Sequence, residues 1–136
     1  GDVPASLEAF MAATRLDPNN ARAWNNQANA LRSLGQSARA AEAYRTAARL
    51  APRDPDPRNG LGVLAVESGD LETAGALFRE ILAANPALHE SRMNLAVVYV
   101  RQNRVADARA ELRAILGARP DRATAARAAA FLRDIS

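Results

Sequence analysis

Residues 21–54, ARAWNNQANALRSLGQSARAAEAYRTAARLAPRD, decide the fold of this 136-residue chain. Gly35 is free to take the left-handed backbone that ends a helix, so a first helix of about 13 residues stops there. A second helix follows, roughly over residues 37–51. Pro52 closes it, because proline cannot continue a helix and restricts the residue before it. Small Ala40 lets the two helices approach, and Tyr44 fills the space beside it. The unit is a helical hairpin with a short turn. Outward from it the same chemistry recurs every 34 residues. Prolines fall at Pro18, Pro52, Pro86 and Pro120; the turn residues are Gly35, Gly69 and Asn103. The small residues are Ala40, Ala74 and Ala108, and the fillers Tyr44, Phe78 and Leu112. A fixed period of this length means stacked repeats, each burying its apolar face against its neighbours.

With Trp24, Gly62, Ala40, Tyr44 and Pro52 at their offsets, the pattern resembles the tetratricopeptide repeat family. Gln27 departs from the usual leucine, and Arg58 and Arg92 depart from a large apolar residue. The resemblance implies an all-α, tetratricopeptide-type helical-hairpin solenoid that winds as a right-handed superhelix. It implies one domain over residues 1–136, with eight helices. Residues 1–20 are the second helix of a truncated repeat; 21–54, 55–88 and 89–122 are full repeats; 123–136 form a capping helix. The first assignment follows from Gly1 and Asp2 matching Gly69 and Asp70, Phe10 matching Phe78, and Pro18 matching Pro86. The chain is expected to begin inside a longer array or to follow another domain.

Composition excludes much else. There is no cysteine and a single histidine, His89, so no metal site, cofactor or cysteine or histidine catalysis is implied. Asp54 and Asp56 flank Pro55, and Asp56 before Pro57 reads as a helix cap with proline at the first helical position. No catalytic site is read, so the chain is expected not to be an enzyme. No apolar run reaches the roughly 20 residues needed to span a membrane. All 18 basic residues are arginine, a usage that GC-rich, bacterial genomes favour. The net charge is only +3 and carboxylates are interspersed, which argues against a nucleic-acid partner.

In proteins that resemble this one, a second stripe of each first helix lines the concave ligand groove. Here that stripe carries Arg22, Asn25, Asn26, Asn29, Asn59, Val63, Val66, Met93, Asn94, Val97, Val100 and Arg101, with Arg127 on the capping helix. Thr124, Ala128 and Phe131 are assigned to the same side of that helix. Asparagine is a poor helix former, and its amide offers donors and an acceptor to a peptide backbone. Asn26 and Asn94 share one offset in alternate repeats, an arrangement similar to the asparagine ladder of the O-linked N-acetylglucosamine transferase repeats; Gly60 interrupts it. The clamp by which chaperone-binding relatives hold a C-terminal carboxylate is not spelled here. Asn25, Gly60 and Glu90 stand where it needs lysine, asparagine and lysine.

These residues point to a non-catalytic scaffold that binds a peptide or helix of a protein partner in its groove. The alternative is a self-association module, or a regulatory appendage of a larger enzyme. In that reading Leu7, Phe10 and Met11 form an exposed homo-oligomer face where the partner helix of residues 1–20 is missing.

Overall fold

The computed structural model describes residues 2–136, so the match of Gly1 to Gly69 lies outside the described residues. Among these the chain forms eight α-helices and no strand. They are α1 (Val3–Leu16), α2 (Ala21–Ser33), α3 (Ser37–Leu50), α4 (Pro55–Ser68), α5 (Leu71–Ala84), α6 (His89–Arg101), α7 (Val105–Gly117) and α8 (Arg122–Asp134). This is an all-α helical-hairpin solenoid.

The turns show why the period is strict. Gly35, Gly69 and Asn103 have φ of 76°, 84° and 60°. Each opens the same closing bond from the next residue: Gln36 N donates to Leu31 O (2.9 Å), Asp70 N to Ala65 O (2.8 Å) and Arg104 N to Tyr99 O (2.7 Å). This six-to-one bond satisfies a carbonyl that the helix end leaves open. Between repeats a second bond recurs: Asn20 N to Asp17 O, Asp54 N to Ala51 O and Leu88 N to Asn85 O. Asn20 then caps α2 by accepting from Ala23 N.

Two local expectations are corrected. The side chain bonded at the start of α4 is Asp54, whose Oδ1 accepts from Asp56 N at 3.0 Å; Pro55 is the first helical residue. Asp56 therefore lies inside the first turn, where burial and then the Asp54 charge push its carboxyl up. The second correction concerns α8. It begins 33 residues after α6 rather than 34, with Asp121 as its cap and Arg119 in the left-handed region at φ 54°. The capping helix starts at Arg122, not at residue 123, and its register advances by one. That turns Ala128 inward: it is fully buried and not on the groove side.

The chain divides into two compact units within α4, one reaching to Leu64 and the other Ala65–Ser136. In the first, α2 packs on α1 and on α3. Leu31, Ala40, Ala43 and Tyr44 form its centre, with Leu7 buried beside them and Phe10, Met11 and Trp24 packed against it. So α1 does not hold Leu7, Phe10 and Met11 out as a free apolar face; α2 supplies much of their cover. Gln27 is accommodated by a second polar departure. Thr14 is 6% exposed and Gln27 8%, and Thr14 Oγ1 lies 3.0 Å from Gln27 Oε1. In the second unit α6 packs on α5 and α7, and α7 on α8, around Phe78, Ile81, Leu95, Val98, Leu112 and Ile115.

Arg92 and Trp24 share one role despite their chemistry. Trp24 Nε1 donates to Pro18 O at 2.8 Å, and Arg92 Nη2 donates to Pro86 O at 3.0 Å. Each ties the start of a first helix to the connection before it. Arg92 adds an ion pair to Glu111 at 2.7 Å, both side chains about four-fifths buried.

Candidate functional site

The outward stripe of α2 is polar by construction. Arg22 and Asn29 are exposed, and Asn25 and Asn26 are half-buried between them. Asn29 does not stand free. The Tyr44 hydroxyl, rising from the core beneath, donates to Asn29 Oδ1. The Tyr44 ring also explains the break in the asparagine ladder. A Cβ built on Gly60 would lie 2.4 Å from Tyr44 Cε1 and Cζ, so no side chain fits at that position of α4. Asn59 beside it is half-buried, as is Val63. Tyr44 was legible in the sequence as core; its hydroxyl was the overlooked signal, since the same offset carries Phe78 and Leu112.

In the second unit the stripe is apolar and its charges are already engaged. Val66, Asn94, Val97 and Val100 are half-buried. Met93 is 6% exposed and belongs to the core, which removes it from the candidate stripe. Arg101 reaches back to donate to Val66 O at 3.0 Å. Arg127 meets both oxygens of Glu90, at 3.0 and 3.3 Å, and this partner holds its guanidinium more firmly protonated. The two arginines thus brace consecutive first helices, α6 to α4 and α8 to α6. Ion pairs this exposed are worth at most about 1 kcal/mol, so the bracing sets geometry more than stability. Thr124 is half-buried at the start of α8; its backbone N–H and hydroxyl both bond Asp121, which holds that carboxyl below its ordinary range. Phe131 is half-buried.

Among the described residues no cluster of three His, Asp or Glu side chains is placed to hold a metal ion. Among the same described residues no helix is long and apolar enough to cross a membrane.

Comparison fixes the family. A tetratricopeptide repeat model matches residues 65–132, and another matches residues 1–55 and 25–89. The chain is a tetratricopeptide repeat protein. No curated protein matches it in sequence. Solved structures share its fold. The crystal structure of MamA superposes with a TM-score of 0.79 at 18% identity, covering 99% of this chain and 82% of that one. A thermophilic tetratricopeptide repeat protein from Thermus thermophilus gives 0.83 at 21% identity, covering 94% and 72%. A tetratricopeptide repeat protein from Parabacteroides merdae gives 0.81 at 22%, covering 99% of this chain but 54% of its own length. At these identities the likeness is one of fold. Tetratricopeptide repeat proteins are in general protein–protein interaction scaffolds, and membership supports that general role for this chain.

Proposed function

We propose that the chain binds a peptide segment of a protein partner on the outward stripe of its first helices, and that it does so without catalysis. The observation that carries this reading is the stripe of α2. Arg22, Asn25, Asn26 and Asn29 stand on one side of a single helix where asparagine costs helix stability. Asn29 accepts from the buried Tyr44 hydroxyl, and the amides of this stripe suit hydrogen bonding to an extended backbone. In the second unit Val66, Val97 and Val100 offer apolar contact, with the Arg101 and Arg127 charges satisfied internally. Asn59, Val63 and Asn94 complete the candidate contacts of the two units. On the first unit binding rests on amide hydrogen bonds, and on the second on burial of ligand side chains.

The test is capture of a partner by the whole chain, with a Val63→Arg, Val97→Arg double variant beside it. A partner held by the wild type and lost by a variant of unchanged helical signal supports the reading. Equal capture by both places the binding surface elsewhere.

A further inference from the structure

We propose that Tyr44 is a positioning residue for the α2 face and that it selects an extended, acidic peptide as the ligand there. The inference rests on the reading of that face as the binding face.

The offsets occupied by Asn29 and Tyr44 carry Val63 and Phe78 in the next repeat, and Val97 and Leu112 in the one after. In the first repeat alone are both polar, and there the two meet. Tyr44 is fully buried. A tyrosine in such a site needs a partner for its hydroxyl, and Asn29 Oδ1 provides one. Asn29 itself is exposed. A carboxamide has one acceptor oxygen and one donor nitrogen. With the oxygen engaged from below and the amide plane held, the Nδ2 donors are what Asn29 offers to a ligand. The buried hydroxyl thus converts an ambivalent amide into a donor. Arg22 stands seven residues earlier, two turns along the same side of α2. It is exposed and, among the described residues, has no ion-pair partner. Outward donors beside an unpaired guanidinium complement a ligand of acceptors and negative charge: the carbonyls of an extended backbone carrying Asp or Glu side chains.

The probe is a fluorescein-labelled peptide of alternating glutamate and serine, amidated at its C-terminus. The control alternates lysine and serine. Anisotropy at low salt should show binding of the acidic peptide alone. Tyr44→Phe should weaken it roughly fivefold, the effect of one hydrogen bond. Its urea midpoint should stay near that of the wild type, since phenylalanine occupies this offset as Phe78. Asn29→Ala should weaken binding as much, and Tyr44→Phe should add nothing on top of it; a purely structural role would give additive losses. Asn29→Asp keeps an acceptor for the hydroxyl but replaces the outward donors with charge, and should abolish binding with the fold intact. If Arg22→Gln and Asn29→Ala weaken binding and Tyr44→Phe does not, the positioning role is overturned and the face reading stands. If none of the three matters, the face reading falls. Failure of the acidic peptide to bind, or equal binding of the lysine peptide, overturns the ligand class.

Discussion

Two glycines within helices should respond to alanine with opposite sign. Gly60 and Gly75 both lie inside helices, α4 and α5, and both are buried. In a helix interior alanine is favoured over glycine by about 1 kcal/mol. At Gly75 the new Cβ would meet Arg79 Nη1 at 3.0 Å and Val98 Cγ1 at 3.5 Å. The arginine head is flexible and the valine is at ordinary contact distance, so Gly75→Ala should gain up to about 1 kcal/mol. At Gly60 the Cβ would stand 2.4 Å from two Tyr44 ring atoms and 2.8 Å from a third. The ring is fully buried and its hydroxyl is bonded to Asn29, so it has nowhere to turn. Overpacking of a core costs about 1–3 kcal/mol, and an overlap this deep lies at the upper end. After the helix gain, Gly60→Ala should lose about 2 kcal/mol. With urea slopes of about 1–3 kcal/mol per molar, that is a midpoint shift near 1 M. Urea titrations of the helical signal for both variants measure it. Adding Tyr44→Leu, which copies Leu112 at the same offset, should recover most of the loss in Gly60→Ala. A Gly60→Ala chain as stable as the wild type, or equal shifts for both glycines, would refute the reasoning.

Other outcomes follow from single contacts. Thr14→Leu should cost about 1–3 kcal/mol because it strands the buried Gln27 Oε1, whereas Gln27→Leu leaves the Thr14 hydroxyl its bond to Met11 O and should cost less. The double variant should return close to wild-type stability, and additive losses in a double-mutant cycle would contradict the pairing. Arg92→Ala should cost about 1–2 kcal/mol in a urea titration, since it removes the bonds to Glu111 and Pro86 O together. The Asp121 carboxyl lies below its ordinary value of 3.8, first through the backbone N–H of Thr124 and then through its hydroxyl. A lowered carboxyl stabilises the fold above that ordinary value and loses the contribution as pH falls through the lowered one. Hydrogen exchange of the α8 amides should therefore quicken as pH drops below the ordinary carboxylate range, relative to α6 and after correction for intrinsic rates. Asp121→Asn, which caps without titrating, should remove that extra loss.

Much of the fold was legible because its rules are local. A residue able to take positive φ every 34 positions dictates Gly35, Gly69 and Asn103, and proline fixes where second helices stop. Side chains on the candidate face were harder to place, because offset alone does not say which neighbour takes them. Arg101 and Arg127 were legible as groove charges, yet a carbonyl of α4 and Glu90 engage them. Met93 was assigned outward and is buried, since the stretch of α6 from Met93 to Val100 is apolar nearly all round and offers little contrast between its sides. Leu7 was read as exposed because a missing neighbour was considered, but α2 lies against α1. The connection before α8 keeps the four residues of the others, but α7 ends one residue early, at Gly117, so that Pro120 stands third in it rather than second, and the proline period does not announce this change for α8. Its one-residue advance, and with it the burial of Ala128, emerges from the placement of Asp121 as the cap.

Site-specific photo-crosslinking tests the central claim, that first helices present the binding face, most directly. A photoreactive residue is placed at Asn26 or Val97 on first helices, and at Arg45 or Arg113 on the exposed sides of second helices. The partner retained by the whole chain should crosslink from Asn26 and Val97 and remain uncrosslinked from the other two. Crosslinks from Arg45 or Arg113, with none from Asn26 or Val97, would contradict it.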